Sequence, residues 1–241
     1  MVAKTCKLVG IFVLVSTLAY AETEFDTSLN LGLTITEGNK DTILGNAALE
    51  TEGQLSERKN LRLGISGNYG ESTVDGQTET TVENIRGFSK YRHDVSKRLY
   101  TAINASALYD DIAEIDYRAI LGPAIGGYII REDNLTLTAE VGPSYVWEKV
   151  SDVSDDYLAL RVAERLEYQI SDTARIWQAA EYLPQADDFE DFLLNAEVGA
   201  SAAMTDRMQL RVVLDLNHDS TPGADLEKND FTLISGLGID L

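Results

Sequence analysis

Twelve segments of about ten or more residues alternate apolar and polar side chains, each followed by a polar connection. Leu135 to Glu148 shows the device. Leu135, Leu137, Ala139, Val141, Pro143, Tyr145 and Trp147 fall on one side, polar or small residues fall on the other, and Val146 is the single exception. A strand projects successive side chains to opposite faces, so each segment has an apolar face that a helix, a second sheet or lipid must cover. Phe25 to Thr36, Leu61 to Tyr69, Leu99 to Tyr109, Phe192 to Ala202, Met208 to Leu216 and Phe231 to Leu241 alternate as cleanly. Ile43 to Leu55, Val82 to Tyr91, Tyr117 to Ile130, Leu158 to Ile170 and Ala174 to Leu183 are less regular, and the inward face of Val82 to Tyr91 and of Ala174 to Leu183 stays open. No segment carries a helical period. Soluble strands run to about 5 or 6 residues, whereas a tilted membrane-spanning strand needs about 9 to 11, so length favours lipid.

The connections sort into two sets. Taken alternately they are EGNKD, ESTVDGQTET, DDIAEID, EKVSDVSDD, PQADDFED and DSTPGADLEKND on one side, and SERKN, HDVSKR, REDN, SDTAR and MTDR on the other. The first set holds 21 acids and 3 bases, the second 6 acids and 7 bases. Long loops at one end and short turns at the other are the asymmetry of an outer-membrane barrel. Aromatics mark the same two ends. Tyr69, Tyr109, Tyr117, Tyr145, Trp147, Tyr157, Tyr182, Phe192 and Phe231 fall near the long loops, and Phe25, Tyr91, Tyr100, Tyr168 and Trp177 near the short turns. Amphipathic rings gather at bilayer interfaces in this way.

An even number of strands returns both ends to one side and lets the sheet close without an edge. The expected fold is therefore all-β: a closed antiparallel transmembrane β-barrel of about twelve strands spanning residues 22–241, preceded by a cleaved signal peptide at residues 1–21. Lys4, Lys7, the apolar run Leu8 to Leu18 and the small-residue site Ala19-Tyr20-Ala21 carry the signal reading. The route is secretion through the inner membrane to a Gram-negative outer membrane. The only cysteine, Cys6, lies within that signal, so no disulfide is expected. Two Gly-Pro steps, Gly122-Pro123 and Gly142-Pro143, sit uneasily in closed ladders because proline lacks a donor. Folding the hairpin about REDN brings them to one height, which predicts one shared bulge or kink.

Several stretches carry a family resemblance: YDDIAEIDYR, LGPAIGGYII, VGPSYVW, YLALRVAERLEYQISDTARIWQAAEYLP, LLNAEVGAS and LEKNDFTLISGLG. They cover most of Tyr109 to Leu241, and through them the chain resembles the salt-induced outer-membrane protein family, a domain of unknown function numbered 481. The resemblance implies an outer-membrane barrel and brings no established activity. The chain departs from such barrels in ending on Leu241 rather than an aromatic, which bears on assembly efficiency.

Three functions compete. Alternation points Arg62, Arg118, Glu140, Arg161, Arg165, Glu167, Asn195, Glu197, Arg211 and Asp215 inward, along with Asn30, Asn46, Asn68 and Asn104. A twelve-strand bore lies between the filled small barrels and the open porins, so these residues either line a narrow passive channel or neutralise one another to hold the wall. Arg161 and Arg165 are expected inside, held by Glu167, Glu197 or other inward acids rather than by lipid phosphates, and Glu164 is expected to turn inward through a local bulge. Alternatively, acidic loops bind divalent cations or lipopolysaccharide, with Asp110, Asp111, Asp116, Asp187 and Asp188 as carboxylate candidates. A barrel-wall hydrolase is the third reading. It needs a histidine beside a nucleophile, and His93 and His218 fall at opposite ends of the barrel. No enzymatic activity and no cofactor are expected. The expected partners are outer-membrane lipid, lipopolysaccharide and the barrel-assembly machinery, with the protein a monomer. A net charge of −20 disfavours nucleic acid.

Overall fold

A computed structural model describes residues 25–36, 41–223 and 226–241. The signal-peptide reading of residues 1–21 lies outside the described residues, as does most of the EGNKD connection. Among the described residues twelve strands follow in chain order. They are β1 (Phe25–Thr36), β2 (Asp41–Ser56), β3 (Lys59–Val74), β4 (Gln77–Asp94), β5 (Leu99–Asp110) and β6 (Ile115–Arg131), then β7 (Leu135–Val150), β8 (Val153–Ser171), β9 (Ala174–Pro184), β10 (Phe192–Ala203), β11 (Met208–Asp219) and β12 (Asn229–Asp240). Each pairs antiparallel with its sequence neighbour, and β1 pairs with β12 to close the barrel. Closure leaves every strand with two partners, so the backbone groups that lipid cannot satisfy are met within the wall.

The period of two becomes an outer apolar belt. Leu31, Leu33, Ile65, Ile103, Ile125, Leu160, Val198, Leu214 and Leu233 are all exposed on it. Their cross-strand partners share the face, as Leu214 does with Val198 on β10 and Leu233 on β12. So many large apolar side chains facing outward fit lipid rather than water.

Three features depart from the sequence reading. The first concerns the long loops. ESTVDGQTET is mostly ladder: Val74 pairs with Gln77 around a two-residue turn, where Asp75 and Gly76 have φ of 51° and 75°. Both positive values suit the hairpin turn that Asp-Gly favours. Ser151 and Asp152, with φ of 47° and 65°, make a similar turn between β7 and β8. Residues 185–191, 220–223 and 226–228 stay outside the strands.

The second concerns Glu164. No register shift interrupts β8 there, so Glu164 keeps the outer face of Val162 and Leu166. Its carboxylate accepts a hydrogen bond from the Gln178 amide on β9. A side-chain partner on the same face, rather than a bulge, accommodates this acid.

The third concerns aromatics. Tyr100 and Trp177 are 1% and 4% exposed and point inward, and Tyr157 packs on an internal cluster of Val146, Ala159, Leu183 and Leu193. Near a strand end, parity decides whether a ring joins the girdle. Tyr69, Tyr109, Tyr117, Tyr145, Trp147 and Phe231 do lie exposed on the outside.

The Gly-Pro steps share one interruption. Leu121 pairs with Tyr145 and Ile125 with Val141, so the register is unchanged across a gap where the two prolines face each other. The ladder is therefore interrupted there without a bulge. Glycine is required here by close approach: a Cβ on Gly142 would lie 2.1 Å from the Pro123 carbonyl oxygen, and one on Gly122 would lie 2.3 Å from that of Pro143.

Candidate functional site: the barrel lumen

The inward faces enclose a cavity of about 860 Å³. Arg62, Arg118, Glu140, Arg161, Arg165, Asn195, Glu197, Arg211 and Asp215 line it, while Glu167 sits beside Arg165. Its ionic groups fall into three layers.

The middle layer centres on Glu140 of β7, only 5% exposed. Its carboxylate accepts from the Tyr100 hydroxyl at 2.8 Å, from Arg161 Nη1 at 2.8 Å and from Lys90 Nζ. Arg161 also donates through Nε to Glu181 at 2.5 Å. Five strands, β4, β5, β7, β8 and β9, are thereby tied to one buried network. Removing one partner from such a network leaves an uncompensated charge and costs about 3 to 5 kcal/mol.

Toward the short turns, Arg62 pairs with Glu50 at 2.8 Å, while Arg165 pairs with Glu167 at 2.7 Å and approaches Glu197 at 3.9 Å. The Trp177 indole N–H donates to Glu197. Both arginines thus pair with inward acids as expected, Arg165 with Glu167 and close to Glu197, and Arg161 with Glu140 and Glu181. Asp215 pairs across the strands with Glu197, and among the described residues it has no cation within 4.0 Å.

Toward the long loops, bonds cross the lumen. Arg118 on β6 reaches Glu148 on β7 and, at 2.7 Å, Asp219 at the end of β11 on the far wall. Arg86 on β4 donates to Asn217 of β11 at 3.0 Å. An amide ladder runs along the wall, Asn46 to Asn68 to Asn84, each at 2.8 Å, and ends on Asp110 at 3.3 Å. The β11–β12 loop lies across this mouth: a Cβ on Gly223 would be 2.3 Å from Ser151 Oγ of the β7–β8 turn and 3.6 Å from Glu114 of the β5–β6 turn.

A family model described as "Protein of unknown function, DUF481" matches residues 29–241. The chain belongs to this family. Among solved structures, the NanC porin is similar at TM-score 0.56 and 8% identity, over 90% of this chain and 100% of that one. An outer-membrane channel of the COG4313 group from Pseudomonas putida F1 is similar at TM-score 0.50 and 11% identity, over 91% and 95%. At such identities the likeness is one of fold. Comparison with curated proteins yields no significant match.

In this member of the family the acidic loops are tied up singly. Asp110 accepts from the Ala113 amide at 3.0 Å, Asp111 from the Tyr109 hydroxyl at 3.1 Å, and Asp116 from Lys149 at 2.5 Å. Asp187 accepts from Gln185 at 2.9 Å and Asp188 from the Glu190 amide at 3.1 Å. Among the described residues no three metal-binding side chains converge. The Lys149 ammonium, hydrogen-bonded to Asp152 in the β7–β8 turn, also holds that carboxyl below its usual range. The histidines stay apart: His218 Nδ1 lies 2.8 Å from Asn229 Oδ1 with its ring stacked on Phe192, whereas His93 pairs with Lys59 and Thr101 at the other end.

Sequence reasoning missed Arg86, Lys90, Glu50, Glu181, Tyr100 and Trp177 as lumen residues. For β4 the turn alone misleads: pairing Val74 with Gln77 around Asp75-Gly76 would set Asn68 opposite Glu83, and only the register shift at Gly70 and Glu71 sets it opposite Asn84, the parity that sends Arg86 and Lys90 inward.

Proposed function

We propose that the protein is a narrow passive channel of the outer membrane for small polar or ionic solutes. The observation that carries this reading is the cavity of about 860 Å³ lined by fixed charges of both signs along its length. A purely structural filling would favour apolar packing, since a well-packed hydrophobic replacement of a buried ion pair is often as stable. The apolar cluster around Val146 and Leu183 occupies one wall only. That two proteins of similar fold are a porin and an outer-membrane channel supports the same reading. The ion pairs that cross the lumen make the pore small and its passage charge-sensitive. In this reading the barrel works as a monomer in lipid and lipopolysaccharide, delivered by the barrel-assembly machinery. Its family resemblance links its use to salt adaptation of the envelope.

Planar-bilayer recording of the refolded protein tests the proposal. Discrete unitary currents are expected, with small conductance. Silent membranes across a range of salts, with insertion verified, would refute it and favour an envelope component acting through its acidic loops.

A further inference from the structure

The short-turn end of the lumen holds a cation that its own acids do not satisfy. Arg175, Ser201 and Arg211 form one cross-strand row on β9, β10 and β11, which continues into Gly236 of β12. Trp177 lies flat over Gly199 beside this row, since a Cβ there would sit 2.0 Å from its Cζ2. Both guanidiniums lean on that one indole, Arg211 at 5.0 Å and Arg175 at 5.5 Å from its centroid. Arg175 donates to Ser201 Oγ at 3.2 Å. Among the described residues neither arginine has a carboxylate within 4.0 Å, and Arg211 has no hydrogen-bond acceptor at all. The nearby acids are engaged elsewhere: Glu50 with Arg62 at 2.8 Å, and Glu197 with the Trp177 indole and Arg165.

A second, independent observation lies across the glycines. Asn30 on β1 lines the same cavity, is only 8% exposed, and among the described residues neither its amide nitrogen nor its oxygen has a partner. It leans over Gly238, with Oδ1 2.9 Å from where a Cβ would be. Between the Asn30 and Arg211 strands β12 presents only Gly238 and Gly236, paired with Asn30 and Arg211 respectively, and Asn30, Arg211 and Gly236 all line the cavity. A buried amide without a partner is costly, and a guanidinium offers five donors and no acceptor. A group that completes this site brings negative charge and several acceptor oxygens.

We propose that Arg211, with Arg175 and Asn30, forms a subsite for a small oxyanion, a carboxylate or a phosphate, at the short-turn end of the lumen. The subsite deepens the channel reading and rests on it only for the idea that solute passes through. Two like-charged guanidiniums lie against one ring, and an anion between them relieves their repulsion while meeting the donors of both. Planar oxyanions suit the fork of Arg211 better than halides do.

Trp177 provides the readout. In a Trp147→Phe background it is the sole tryptophan, and the purified protein in detergent is titrated with sodium phosphate and with sodium acetate at ionic strength fixed by sodium chloride. A saturable change in emission is expected with at least one oxyanion. Loss of charge-assisted hydrogen bonds in Arg211→Gln should weaken it about tenfold or more. Asn30→Ala, which leaves every charge in place, should weaken it less, and Arg211→Lys should restore part of it. Circular dichroism and heat-modified mobility confirm that each variant is folded. A response no different from that to chloride, or one unchanged in Arg211→Gln, overturns the subsite. Saturable binding in a protein that passes no current would remove the channel and keep the subsite, whereas current without saturable binding would remove the subsite alone.

Discussion

Glu140 shows how a lumen side chain is held. Three donors from three other strands converge on a carboxylate that is almost fully enclosed, and Arg161 is shared between it and Glu181. Arg161→Ala removes the ion-pair partner of Glu181 and leaves Glu140 with Lys90 as its one paired cation, so it is expected to lower unfolding stability by about 3 to 5 kcal/mol, read by denaturant titration in detergent. Tyr100→Phe removes one donor and leaves two cations on Glu140, and is expected to lose only about 1 kcal/mol. Equal losses in the two variants would mean that the network is not centred on Glu140. Glu164 is the contrasting residue, an acid on the outer face bonded to Gln178. Glu164→Leu removes a polar group from the lipid belt and should raise stability by up to about 2 kcal/mol in vesicles.

At the scale of the strand, depth matters as much as face. On β11, Leu210 and Leu214 share the outer side, but Leu210 lies two residues from the Met208 end while Leu214 sits mid-strand. Leu214→Arg is therefore expected to cost about 2 to 4 kcal/mol, and Leu210→Arg about 0 to 1. Asn195→Ala, on the inner face of β10, should cost less than Leu214→Arg. The comparison is made by folding each variant into vesicles and titrating with urea; matching losses at 210 and 214 would remove the depth argument. The hairpins extend the same logic past the membrane. β3, β4, β7 and β8 run to 16, 18, 16 and 19 residues, well beyond the ~9 to 11 a span requires, so their tight turns stand clear of the bilayer.

For the whole molecule, the two ends should respond differently to a protease. Residues 185–191, 220–223 and 226–228 carry irregular backbone at one end, while SERKN and MTDR close tightly at the other. Proteolysis of intact cells is expected to cut within 220–228 or 185–191 and to spare the short turns; cutting confined to the short turns would reverse the orientation. The hairpin at Asp75-Gly76 should resist, because its backbone is paired up to the turn. The lumen-crossing bond from Arg118 to Asp219 acts as a strut between far walls. Arg118→Ala should widen the mouth and raise unitary conductance in planar bilayers, and an unchanged conductance would show that the narrowest point lies elsewhere.

Period, segment length and the two classes of connection are local properties, so the sequence alone determined the barrel, its strand count and the outward face of nearly every strand. The parity of β7 placed Glu140 inside, and that of β8 placed Arg161 and Arg165 there, because side chains two apart share a face whatever the rest of the chain does. What alternation cannot contain is which walls meet. Arg161 finds Glu140 and Glu181 rather than Glu197 because curvature and register bring β7 and β9 to either side of it. The Arg118–Asp219 strut joins residues 101 positions apart, and only closure of β1 onto β12 puts their strands face to face. The position of Gly223 against Ser151 depends on the same closure. Faces follow from the geometry of a single strand, whereas distances across a lumen exist only once the sheet has curled into a ring.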